Sequence, residues 1–307
     1  MEVSRIILGC GNFGGIGSAP KFFGQGESEE EALRIMDGAW GLGIRMFDTA
    51  DAYGGGRSET AIGAWLRTKG PDVRERIVLT TKTFNPMEEG ADRGLSRARV
   101  SRQLESSLDR LGVEHVDVYL AHAFDPDTPL EETIGTFNGL QQLGLVKAWG
   151  VSNFDASQLR RVLELDKPAV VQNSYSLLDR GDEEELLALC TEFDISYTAF
   201  SPLAGGLLTG KYKRGDAAPP GSRLAMRPDP YEHLLTEETF ARLDQFLAVA
   251  EARGAAPATL AVAWLLAQKP VTAVILGPRR VEHLTPAVEA LNLSLSEAEA
   301  DELARLF

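Results

Sequence analysis

Four residues in the first half of the chain have side chains suited to moving a proton: Asp48, Tyr53, Lys82 and His122. Taken singly, each has an ordinary reading. Asp48 can cap a turn, Tyr53 can be a loop aromatic, Lys82 a solvated strand-end lysine and His122 a satisfied structural histidine. Taken together they suit the reduction of a carbonyl group, which needs a hydride at carbon and a proton at oxygen. A tyrosine hydroxyl can give that proton, but its reference pKa is about 10. An ammonium beside it stabilises the phenolate and lowers that value, which is a role for Lys82. Asp48 can pair with Lys82, so that no uncompensated cation is buried. His122 can donate a hydrogen bond to the carbonyl oxygen. No side chain supplies hydride, so this chemistry requires a cofactor. A Schiff-base reaction on Lys82 could use the same aspartate and tyrosine, and is the competing chemistry.

For these four to meet, they must stand at the ends of neighbouring strands. Short runs rich in Val, Ile and Tyr recur along the chain, at 5–8, 44–47, 77–80, 116–120, 148–151, 169–172, 197–200 and 271–275. Segments of helical period separate them, the clearest from Ser101 to Leu111 with Leu104, Leu108 and Leu111 on one stripe. Acidic residues at 29–31 and 182–185 suit helix N-termini, and Gly43, Gly112 and Gly144 suit C-terminal caps. Eight strand–helix units predict an α/β fold of the (β/α)8 TIM-barrel type, in which catalytic groups gather at the C-terminal strand ends. The whole of 1–307 reads as one such domain, with an insertion between strands seven and eight, about 204–270. Within it, 211–235 reads as a long loop and 237–253 and 257–268 as helices.

Composition narrows the partners. A formal net charge of -14 repels nucleic-acid phosphates and anionic lipid. The two cysteines, Cys10 and Cys190, have no disulfide or metal-ligand spacing and suit a reducing, cytoplasmic setting. No metal site is expected, and no apolar run reaches the ~18 residues of a membrane span. The run Gly9-Cys10-Gly11-Asn12-Phe13-Gly14 spells G-x-G-x-x-G after a strand. The glycines and proline that follow, Gly15, Gly17 and Pro20, make an immediate helix improbable. A loop at the barrel rim is expected there, and not a Rossmann turn.

The stretch 48–53, DTADAY, resembles the D-T-A-x-x-Y signature of the aldo-keto reductase family, and 81–82, 120–122 and 150–154 (GVSNF) resemble three further motifs. The likeness runs from about residue 5 to residue 291. It implies that Asp48, Tyr53, Lys82 and His122 form a catalytic tetrad. It also implies a nicotinamide site: Ser152, Asn153 and Gln172 at the carboxamide, Phe200 stacked on the ring, and Ser201, Pro202, Leu203 and Gly205 along the pyrophosphate. The run 206–212, GLLTGKY, resembles family members with a cofactor-covering loop, which implies Lys211 and Arg223 near phosphates. Gly277, Arg279 and Arg280 fall at the adenosine end. Arginine there suits a 2′-phosphate, so NADP(H) is preferred and NAD(H) remains possible. Relatives commonly have Glu-Asn where this chain has Ala287-Val288, and arginine where it has Ala123. Phe23, Phe84, Phe124 and Trp149 are expected to wall a pocket for a small carbonyl substrate, although Trp149 suits the core equally. A nicotinamide-binding regulatory subunit with little turnover is the alternative function, and the oligomeric state is left open.

Overall fold

A computed structural model of the chain describes residues 4–307. Eight parallel strands close into a barrel in chain order: β1 (Ile6–Gly9), β2 (Met46–Asp48), β3 (Val78–Thr83), β4 (Val116–Ala121), β5 (Val146–Ser152), β6 (Val170–Ser174), β7 (Ser196–Phe200) and β8 (Val271–Leu276). The (β/α)8 barrel expected from the alternation is the fold found. The helices are α1 (Glu29–Gly41), α2 (Arg57–Arg67), α3 (Pro71–Arg76), α4 (Arg97–Leu111), α5 (Leu130–Gln142), α6 (Ala156–Leu163), α7 (Leu186–Glu192), α8 (Arg223–Met226), α9 (Glu237–Ala252), α10 (Pro257–Ala267), α11 (Thr285–Ala290) and α12 (Glu297–Ala304). Local sequence explains their ends. Ser28 and Glu31 form a reciprocal capping box at the start of α1. Helix α4 begins a turn before the expected Ser101 and stops where Gly112 turns left-handed, at φ 67°.

Strand period separates two cores. Ile7, Met46, Val78, Val118, Leu120, Val170, Ala273 and Ile275 fill the barrel interior. The residues between them face outward and join the larger layer under the helices. Trp149 is on that outer side. Only 4% exposed, it packs against Phe137 of α5 with ring centroids 6.0 Å apart. It is therefore core and not pocket wall, because its neighbours Gly150 and Ser152 take the inward places.

Helix α10 departs from the amphipathic norm. Every residue from Thr259 to Leu266 is buried. A helix apolar on all sides must be covered on all sides. Here α9, α11, α12 and β8 surround it, and Trp264 Nε1 donates to the carbonyl of Ala300 at 3.0 Å. Among the described residues no single helix is long and apolar enough to cross a membrane.

Between β7 and α9 the chain makes two 3-10 turns, Ala204–Thr209 and Glu232–Leu234, and the short helix α8, and it reaches back to the loop that follows β1. Arg223 donates to Asn12 Oδ1 at 2.7 Å, Arg227 donates to the carbonyl of Ile16 at 2.9 Å, and Lys21 pairs with Asp229 at 3.0 Å. Residues 10–27 form a folded loop with no helix directly behind Gly14. Its backbone is closed by Gly14 N–H to the Glu27 carbonyl (2.9 Å) and Gly17 N–H to the Gly11 carbonyl (2.7 Å).

Candidate active site

The inward rows that fill the barrel continue upward as polar residues. In β2, Met46 is followed two places on by Asp48. In β3, Val78 leads through Thr80 to Lys82. In β4, Val118 and Leu120 lead to His122 just past the strand. Pairing aligns Asp48 with Thr80 and Lys82 with Leu120, so these ends lie at nearly one height. Tyr53 comes from the loop after β2. There the chain turns through three left-handed glycines, of which Gly54 has φ 59°. A β-carbon on Gly54 would also come within 2.8 Å of the Gly14 and Phe13 backbone, so only glycine allows this turn.

The four residues meet. Lys82 Nζ donates to Asp48 Oδ1 at 2.5 Å, to the carbonyl of Thr49 at 2.8 Å and to Tyr53 Oη at 3.2 Å. All three ammonium protons thus have acceptors although the Lys82 side chain is wholly buried. The second Asp48 oxygen accepts from Gln172 Nε2 at 2.8 Å. The His122 ring meets the Tyr53 ring edge-on, with centroids 5.5 Å apart. Burial opposes the Lys82 ammonium, but Asp48 and Tyr53 outweigh it and hold its pKa above the ordinary value. Burial pushes the Tyr53 hydroxyl up, and the nearby ammonium draws it only part of the way back. The net shift is upward, opposite to the lowering expected from Lys82, because desolvation of the phenolate is the larger effect. Tyr53 therefore stays a protonated donor. Burial, then the Lys82 charge, pushes His122 well below its ordinary value, so its ring is neutral.

Next to these groups stand the residues expected at a nicotinamide. Ser152 and Gln172 are register partners across β5 and β6. Asn153, left-handed at φ 57°, donates through Nδ2 to the His122 carbonyl at 2.9 Å. Phe200 ends β7 and packs on the inner-barrel cluster. Ser201, also left-handed, lies 3.2 Å from Tyr231 Oη. Pro202 is buried and Leu203 half-buried. The ring of Tyr231 covers Gly205 so closely that a β-carbon there would sit 2.8 Å from it.

The cations are more dispersed. Lys211 is exposed, with Nζ 5.1 Å from the Tyr212 ring centre. Arg280 is exposed beside His283. Arg279 pairs with Glu27 and donates to the Gly221 carbonyl. Gly277 accepts from Asn12 through its carbonyl at 3.4 Å. Ala287 is buried in the outer core. Glu27 is 4% exposed, burial raises its pKa, and its Oε2 has no hydrogen-bond partner. Asn12, Glu27, Arg223 and Arg279 line one small cavity. Sequence reasoning missed Asn12, Glu27 and Tyr231. The only signal for Glu27 was its place before the α1 cap, where an acid looks like a helix-dipole partner.

Of the expected pocket residues, Phe23 lies against Gly55, and Phe84 is half-buried two positions after Lys82. Phe124 packs edge-on against Phe154, with the Arg161 guanidinium 5.2 Å from its centre. Those contacts tie Phe124 to the β5–α6 connection.

A parallel barrel whose strand ends bring together an aspartate, a tyrosine, a lysine and a histidine defines a class of oxidoreductases, and the comparisons agree. The Aldo/keto reductase family model matches residues 5–306, and the chain belongs to that family. It is similar to the "Uncharacterized oxidoreductase YrpG" of Bacillus subtilis (strain 168), 36% identical over 97% of this chain and 90% of that one. It is 33% identical to the "NADH-specific methylglyoxal reductase" of Escherichia coli (strain K12), over 97% of this chain and 94% of the other. Among solved structures, the glycerol dehydrogenase AKR11B4 from Gluconobacter oxydans superposes with a TM-score of 0.84 at 28% identity, over 99% of this chain and 91% of that one. Relatives from rice and Arabidopsis thaliana carry names that mark them as candidate beta subunits of voltage-gated potassium channels.

Proposed function

We propose that the protein is an NADP(H)-dependent reductase converting an aldehyde or ketone to an alcohol, with Tyr53 as the proton donor. The observation that carries this reading is the Lys82 ammonium bonded at once to Asp48 and to Tyr53 Oη. The arrangement holds a protonated tyrosine at the barrel mouth with its own O–H turned away from the lysine. When bound, a reduced nicotinamide supplies the hydride that the carbonyl carbon receives. The residues fit such a group. Gln172 and Asn153 commit their amide N–H groups to Asp48 and to the His122 carbonyl, which leaves their oxygens for a carboxamide N–H. Ser152, Phe200, Ser201, Pro202, Leu203 and Gly205 would continue the site toward the loop after β7.

In this reading His122 orients the substrate oxygen and Tyr53 protonates it as charge develops there. Asp48 keeps Lys82 in place, and Lys82 keeps the Tyr53 oxygen poised. Arg223 and Arg279 line one small cavity, with Lys211 and Arg280 exposed, on a chain of net charge -14, which supports a phosphorylated cofactor and the preference for NADP(H). The substrate is a small carbonyl compound, with Phe23 and Phe84 at the mouth. Both cysteines are free and buried, which supports a reducing, cytoplasmic setting.

The test follows consumption of NADPH and NADH over a panel of aldehydes and ketones, beside Tyr53→Phe. Turnover that depends on Tyr53 supports the reductase. Undiminished turnover in Tyr53→Phe sinks the assignment. The names of the plant relatives favour one second reading, a regulatory subunit. Cofactor that stays bound while no carbonyl is reduced would support it.

A further inference from the structure

His122 is held at three points. Its N–H donates to the Thr83 carbonyl at 2.9 Å, its carbonyl accepts from Asn153, and its ring Nδ1 faces Asn85 Nδ2 at 3.2 Å. A neutral imidazole carries one N–H, and a nitrogen that accepts a hydrogen bond must hold the lone pair. We propose that Asn85 is a positioning residue that fixes His122 as the Nε2–H tautomer, so that the ring's single donor serves the substrate oxygen beside Tyr53. The substrate half of this statement rests on the reductase reading. The tautomer half rests on geometry alone.

Asn85 is itself held from behind. Its carbonyl accepts from Arg99 Nη2 at 2.7 Å. Arg99 is only 2% exposed, and its Nη1 also donates to Thr83 Oγ1 at 2.8 Å and to the Gly94 carbonyl at 3.1 Å. Thr83 Oγ1 in turn donates to Asp51 Oδ2 at 2.7 Å. One buried guanidinium thus clamps the segment from Thr83 to Asn85, directly after Lys82. That segment delivers the Thr83 carbonyl to the His122 backbone and the Asn85 amide to the His122 ring. The partner of a histidine's far nitrogen decides which nitrogen is protonated. An aspartate at 85 would accept only. It would draw the proton to Nδ1 and turn a lone pair toward the substrate oxygen.

The chain has four histidines, so ¹⁵N-histidine NMR of the full-length protein is tractable, with His122 assigned by its loss in His122→Asn. The expected wild-type spectrum shows His122 protonated at Nε2, with Nδ1 in the lone-pair range. Asn85→Asp is expected to move the proton to Nδ1 and to lower kcat about 100-fold with little change in KM, the usual scale for one lost oxyanion donor. A wild-type His122 protonated at Nδ1 would overturn the proposal without any variant. So would an Asn85→Asp protein that keeps the Nε2–H tautomer and full kcat. An Nε2–H wild type that reduces no carbonyl would sustain the tautomer assignment and count against the reductase reading.

Discussion

The two ends of the proposed cofactor groove are built on opposite plans. At the nicotinamide end, polar groups stand on strand ends and hold one another. Both Asp48 oxygens and all three Lys82 protons are engaged before any ligand arrives. At the adenosine end the charged groups come from three distant parts of the chain, the loops after β1 and β8 and the short helix α8. They are held in pairs that a phosphate would have to displace, Arg279 with Glu27 and Arg223 with Asn12. The first plan places charge where a reaction needs it at no cost of reorganisation. The second exchanges one set of polar partners, one of them ionic, for another, so binding there is a difference between two similar energies.

Tests that break this contrast can be ordered by size. Tyr53→Phe should lower kcat by about 10³-fold, within the range for a lost general acid, while cofactor affinity measured by fluorescence changes less than about twofold. Lys82→Met should be the most destabilising change in the site. It leaves Asp48 buried without its cation, a loss on the order of 3–5 kcal/mol. Adding Asp48→Asn should return part of that loss in chemical denaturation. Additive losses in the double variant would show that the pair is not coupled.

At the other end, Arg279→Ala should weaken NADPH about tenfold, the scale of one charge-assisted contact, and leave NADH nearly unchanged. Glu27→Gln should tighten NADPH a few-fold, because the arginine no longer has a competing carboxylate. Titrations showing equal effects on both cofactors would remove the 2′-phosphate argument.

The smallest effect concerns stability. Burial raises the Asp51 carboxyl to about 7, partly offset by its bond from Thr83. The folded protein therefore holds this proton more tightly than the unfolded chain, whose aspartate titrates near 4. The contribution is fully present below about pH 4 and is lost as pH rises through about 7. In Asp51→Asn the melting temperature should fall less between those values, by a few degrees in a chain of this size. An unchanged pH profile would show that Asp51 titrates alike in the folded and unfolded states.

The rigid end was legible in sequence and the loop-borne end was not. Strand period makes the inward row of β2, β3 and β6 readable as Asp48, Lys82 and Gln172, since each follows inward apolar residues by even steps. The same parity assigns Trp149 to the outer layer, so the signal that corrects its pocket reading was already in 148–152. Glu27, Asn85 and Tyr231 carry no such signal. Their places depend on where loops from separate units come to rest, and no period relates residue 27 to 279 or 85 to 122. The direction of the Tyr53 shift was missed for a related reason. The residue types name the opposing charges, but only packing shows that desolvation exceeds them.

The pairing of Arg279 with Glu27 also bears on what the protein ignores. A bare cluster of arginines attracts polyanions with little regard to their shape. Here the partly exposed Arg279 guanidinium is already paired with the buried Glu27 carboxylate, on a chain of net charge -14. Only a molecule that reaches the cavity with shape as well as charge can replace that partner. In the proposed cofactor site, this ion pair is the partner that an incoming phosphate has to displace.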